Sequence, residues 1–132
     1  MITIQRAITS DGKYPDRESS PELTLEVRTN LGKTVEAVNK LLAELGIKDV
    51  IINSGFRTVK ANIDAGGSKF SAHCTGQSLD LQDKSGDLYR LISVNVPLLK
   101  KYALYMESNP PTINWVHLSI RRPASGNNIF KP

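Results

Sequence analysis

At 132 residues, with 39% hydrophobic and 23% charged side chains, the chain has the composition of one globular domain and is too short to bury two separate cores. No window approaches the roughly 18 apolar residues of a membrane span, and the lone cysteine, Cys74, excludes an internal disulfide and agrees with a reducing compartment. The net charge of +4 suits an anionic partner, but Lys and Arg are dispersed and aromatics make up only 6%, so no stripe of base-stacking residues marks a nucleic-acid surface.

Residues 1–22 open with Met1-Ile-Thr-Ile-Gln-Arg6, a short β-like start that lacks the charged end and apolar core of a secretory leader. Synthesis in the cytoplasm without a signal peptide is therefore expected. The turn-rich run Ser10-Asp-Gly-Lys-Tyr-Pro-Asp16 and Ser19-Ser-Pro21 follow, so this segment reads as an N-terminal arm or loop laid on a domain of residues 23–132. Val27, Leu31, Val35, Val38, Leu42 and Leu45 recur at steps of three and four, which predicts a helix ending at Gly46. Leu23, Leu25 and Val27 also alternate as in a strand and leave the helix start open. Val50-Ile-Ile-Asn-Ser54, bounded by Gly55, predicts a buried strand; Thr58 to Asp64 predicts a helical turn before Gly66-Gly67, and Gln77 to Gln82 another strand. Asp87 to Tyr102 has helical spacing through Leu88, Leu91, Ile92, Leu98 and Leu99, with Pro97 expected to split or kink it. Ala103 to Glu107 and Asn114 to Ile120 read as two strands joined by a loop through Pro110-Pro111. The sum is an α+β domain, a small, mostly antiparallel sheet with flanking helices, and a monomer is expected.

The only two histidines, His73 and His117, stand in Ser71-Ala-His-Cys-Thr-Gly-Gln-Ser-Leu-Asp80 and Trp115-Val-His117. Zinc in hydrolases takes three N or O ligands and leaves a fourth position for water, whose pKa falls from about 15.7 to roughly 7 on binding. His73, Asp80 and His117 supply such a set, since a turn at Gly76 can fold Asp80 back towards His73. In an extended Asn114–Ile120, His117 shares a face with Trp115 and Ser119 while Val116, Leu118 and Ile120 take the core. Cys74 invites a reading as a fourth ligand or nucleophile, but in an extended segment it points away from a metal held by His73 and reads as a buried thiol.

Ser-x-His-x-x-Gly-x-x-x-Asp with a later Trp-x-His resembles the signature of the M15 metallopeptidases, a family of D-Ala-D-Ala carboxypeptidases, dipeptidases and phage endolysins that cleave cell-wall peptides. Ser54-Gly-Phe-Arg57, Asn62, Gly66-Gly67 and Ser125-Gly-Asn-Asn-Ile-Phe-Lys-Pro132 extend the resemblance over roughly residues 24–132. It implies a hedgehog and DD-peptidase-like fold, a zinc cofactor on His73, Asp80 and His117, and a substrate groove lined by Ser71 and Arg57. The planar donors of Arg57 suit a peptide carbonyl and the oxyanion formed on attack; read without the resemblance, Ser71 can cap a turn and Arg57 can sit at the surface.

Many members carry an acid three residues before the second histidine, where this chain has Asn114. An amide cannot accept a proton from water. A hairpin of residues 103–107 and 114–120 would bring Glu107 beside Asn114, which makes Glu107 the candidate general base and acid, its alternative being a solvated glutamate at a loop edge. Asp83 and Asp87 read as turn and helix-cap residues. The expected function is a zinc-dependent peptidase of peptidoglycan stem peptides, endolysin-like, acting on the cell wall after release or as a phage component. No second arginine falls inside a site motif, and Arg121 and Arg122 are expected to face solvent, so an internal bond of the L-alanyl-D-glutamate type is expected ahead of D-Ala-D-Ala removal. The alternative is a catalytically silent zinc-binding module of a virion or wall-binding protein.

Overall fold

A computed structural model describes residues 1–67, 70–108 and 114–131. Helix α1 (Ile4–Thr9) and a 3-10 turn (Pro15–Ser19) precede the long helix α2 (Leu25–Glu44). Strand β1 (Ile52–Ser54), helix α3 (Val59–Asp64), strand β2 (Ser78–Gln82) and helices α4 (Asp87–Ser93) and α5 (Val96–Lys101) follow. Strands β3 (Tyr105–Glu107), β4 (Trp115–Ser119) and β5 (Ile129–Phe130) complete the α+β fold. The described strands form one sheet in the order β1-β2-β4-β3-β5, antiparallel except for the parallel pair β3 and β5. No described helix is long and apolar enough to cross a membrane.

The helix read from its apolar steps starts one residue after Thr24, whose hydroxyl accepts from Val27 N at 3.2 Å and settles a start that the alternation of Leu23, Leu25 and Val27 left open. It ends at Glu44, and Gly46, just past the cap Leu45, takes the positive φ of 74° that stops a helix without a Cβ penalty. Pro97 splits the second helical stretch as expected, entering the first turn of α5, where its missing N–H costs no bond. The loop through Pro110-Pro111 lies outside the described residues.

The N-terminus departs from the expectation of a β-like start. Thr3 caps α1, accepting from Arg6 N at 3.1 Å, and Ile2 is buried while Ile4 is exposed, so the two isoleucines do not line one strand face. Asn39 of α2 holds the Ile2 backbone on both sides, accepting from its N–H at 3.0 Å and donating to its carbonyl at 2.9 Å. Ile2, Ala7 and Ile8 are buried in the same core as α2 and the sheet, so this segment is built into the molecule. Strand β5 has only two residues, too few for a periodic signal.

Candidate metal centre

One face of the sheet makes the core and the other makes the site. Leu79, Leu81, Val116, Leu118 and Met106 are fully buried on the core side, so their alternate neighbours Asp80, His117 and Glu107 point the opposite way. Asp80 pairs with His117 across β2 and β4. Ser54 pairs with Asp80 although Ile52, two residues back, pairs with Leu81, so a bulge in β1 carries Ser54 from the core side to the side of Asp80.

The third member arrives on a turn. Residues 72–76 form turns and not the expected extended segment, held by Ser71 Oγ, which accepts from His73 N at 3.2 Å, and by Arg57 N, which donates to His73 O at 3.2 Å. Gly76 has φ of 75°, and a Cβ there would stand 2.6 Å from Val27 O, so the turn lies flush on α2 only with glycine. Thr34 of α2 donates to Gly76 O at 2.9 Å and fixes the turn from below.

His73, Asp80 and His117 offer three ligand atoms within 4.8 Å of one another. His73 Nε2 is 3.1 Å from Asp80 Oδ2, and His117 Nδ1 is 2.8 Å from Asp80 Oδ1. Zinc bonds of about 2.0–2.1 Å in a tetrahedron separate ligand atoms by roughly 3.3 Å, so these spacings need only a small spread to admit the ion. The chemistry of the donors agrees. His73 Nδ1 lies 2.8 Å from Gly55 O, which can only accept, so Nδ1 carries a proton and Nε2 is the ring atom turned towards the carboxylate. A ring nitrogen and a carboxylate oxygen at that distance need a cation or proton between them. Burial by itself would raise the Asp80 carboxyl, but the charge of His73 and the hydrogen bonds from His117 and His73 outweigh it and hold the group well below the usual carboxylate range.

Arg57 borders the trio. Its Nε donates to Ser54 Oγ at 2.7 Å, its Nη1 donates to Asn62 Oδ1 at 3.2 Å, and its Nη2 is 3.5 Å from Asp80 Oδ2. Five donors meet three acceptors among the described residues, so two N–H groups remain there for a substrate oxygen. Cys74 is not a ligand atom of the trio; its Sγ lies 4.0 Å from Thr58 O, and burial first, then the charge of Glu22, push the thiol up, against Arg57 and Arg121. Trp115 is exposed at the edge of the same sheet face.

Glu107 does not stand beside Asn114. Tyr105 pairs with Ser119 and Met106 with Leu118, so the register carried one residue further sets Glu107 opposite His117. Glu107 also pairs with Phe130 of β5, and the Phe130 ring meets that of His117 edge-on at 6.4 Å. Ser54, Asp80, His117, Glu107 and Phe130 thus form one transverse row over all five strands of the described sheet. The expected antiparallel pairing of the two strands forms, but its register differs, because spacing along the sequence leaves strand register open. Asp83 caps α4, accepting from Leu88 N at 3.1 Å and Tyr89 N at 2.9 Å, and exposed Asp87 pairs with Arg90. Arg121 does not face solvent: it donates to Phe70 O at 2.6 Å, Thr75 Oγ1 at 3.0 Å and Gln77 Oε1 at 3.1 Å, tying β4 to the His73 turn.

Residues 15–119 match the family model described as Peptidase M15. The chain belongs to the M15 peptidase family. No curated protein matches it. Membership makes it a metallopeptidase, and the M15 match runs from the 3-10 turn to the end of β4, taking in all three candidate ligands. Spacing had not singled out Ser10 and Arg17, which lie some forty residues from the loop they support: Ser10 Oγ accepts from Gly55 N at 3.1 Å, and Arg17 Nη1 donates to Phe56 O at 2.8 Å.

Proposed function

We propose that this M15 metallopeptidase is a zinc enzyme that hydrolyses stem peptides of peptidoglycan, as an endopeptidase of the endolysin kind acting on the cell wall. The observation that supports it most is the donor set itself, two imidazoles and one buried carboxylate, with the His73 tautomer fixed by Gly55 O. Zinc bound there supplies Lewis acidity towards a peptide carbonyl and lowers the pKa of water. Arg57 offers one of its two spare N–H groups to the oxyanion, held in place by Ser54 and Asn62. Glu107, half-buried in the row beside His117, takes the proton of the attacking water and returns it to the leaving amine. Ser71 serves the groove through the turn that it caps.

A second reading, a metal-binding module without turnover, is favoured by Asn114, an exposed residue whose carbonyl accepts from Asp83 N at 2.7 Å and whose amide cannot act as a base. Mass spectrometry of muropeptides after incubation of purified peptidoglycan with zinc-loaded protein separates the two. Cleaved stem peptides support the enzyme; intact muropeptides with one tightly held zinc support the silent module. D-alanine released as the main product, with internal bonds intact, would replace the endopeptidase by a carboxypeptidase.

A further inference from the structure

A cleft of about 390 Å³ adjoins the metal centre and is lined in part by Tyr14, Arg17, Ser54, Arg57 and Asp64. That volume is in the range of small-ligand sites. Ser54 and Arg57 belong to both places, because Arg57 reaches Asp80 with Nη2 and Ser54 with Nε.

Arg17 is fixed in this wall. Its Nη1 donates to Phe56 O at 2.8 Å and to Ser10 Oγ at 3.3 Å, and its guanidinium lies 3.8 Å from the centroid of the Tyr14 ring. Among the described residues no carboxylate pairs with it, and its Nε and Nη2 have no hydrogen-bond partner. Asp64, the one acid among the described lining residues, is engaged by Lys60 at 2.9 Å. Two immobilised guanidinium groups, one lacking a counter-charge among the described residues, thus face a cleft that Arg57 links to Asp80. Burial, with the charge of Arg57 adding to it, lowers the Arg17 guanidinium from its ordinary value against the opposing influence of Tyr14, as expected where a cation lacks an anion.

We propose that Arg17 and Arg57 form a carboxylate subsite that takes the free α-carboxylate of the substrate residue whose amine leaves. The inference rests on the peptidase reading above and deepens it. Planar donors in a fixed fork are the groups best matched to a carboxylate. In a stem peptide that carboxylate has two sources: a chain-terminal residue, or a D-glutamyl residue joined onward through its γ-carboxyl. The first would make the subsite a terminus clamp, and the second suits cleavage on the amino side of D-glutamate. The absence of a second arginine from the site motifs therefore carries no weight against binding a carboxylate.

The test follows the arginine Nε–H resonances of the zinc-loaded full chain during titration with acetyl-D-alanine and with γ-D-glutamyl-L-lysine amide, each as the free α-acid and as its α-amide. The free acids are expected to shift the Arg17 resonance and to bind about 10- to 100-fold more tightly than the amides; the acid that binds better names the source. Arg17→Gln should abolish the difference between acid and amide, and Arg17→Lys, which keeps a donor for Phe56 O, should restore part of it. An Arg17 resonance unmoved by both free acids, or acids and amides that bind alike, overturns the subsite. The peptidase reading fails separately, on intact muropeptides, even where the acids still move Arg17.

Discussion

His73 turns Nε2 towards Asp80 because Gly55 O accepts a hydrogen bond from its Nδ1–H, and the carboxylate it faces is almost wholly shielded from water. Such a pair is unfavourable without a positive charge between its members, which is why a cation should bind here and stabilise the fold as it binds. One zinc per chain is expected by elemental analysis, and a chelator should lower the melting temperature by mass action. His117→Ala removes one of only three ligands and should weaken zinc affinity severely; a variant that binds as well as the parent would remove His117 from the site. Glu107 has a different part, standing in the row beside His117 without being one of the three clustered ligands. Glu107→Gln should keep the zinc and lose about 10² to 10⁴ in rate, since an amide of the same shape removes only the proton acceptor. Full activity in that variant, measured on peptidoglycan, places the base elsewhere.

At the scale of elements, the site depends on packing contacts made by distant segments. The β1 bulge turns Ser54 towards Asp80, α2 supports the His73 turn through Thr34, and α1 lies against the Ser54–Arg57 loop so closely that a Cβ on Gly55 would stand 2.0 Å from Ala7 O. Phe56 N donates to that same Ala7 carbonyl at 2.9 Å. Gly55→Ala must therefore push α1 from the loop, and a loss of about 2 kcal/mol or more in denaturant unfolding is expected. Zinc affinity should fall with it, because Gly55 O orients His73. Gly12→Ala is the comparison: φ is 81° there but no atom lies within 4 Å of the added Cβ, so only the backbone penalty of about 1–2 kcal/mol should appear, with zinc affinity unchanged. Equal metal affinity in both variants would separate the α1 contact from the site.

Across the whole molecule, α1 belongs to the same core as α2 and the sheet. Ile8 is 1% exposed, and Ile8→Ala should cost about 2–5 kcal/mol in chemical denaturation, whereas a detachable arm would lose almost nothing. The amino-acid sequence by itself determined the α2 helix, the strand character of β2 and β4, the break at Pro97 and the identity of the three side chains that converge, because each is written in local periodicity or in the scarcity of histidine. It also carried the resemblance to M15 peptidases in its spaced motifs. Tertiary structure decided the rest. The start at Ile2 became helical because Thr3 caps it and Asn39, 37 residues away, takes the Ile2 backbone groups. Glu107 came to His117 and not to Asn114 because strand register is set by the whole sheet. Arg121 and Arg17 were drawn inward by carbonyls 51 and 39 residues away, Phe70 and Phe56. These contacts join residues whose distance in the chain says nothing of their distance in space, and only the packed core brings them within reach of a hydrogen bond.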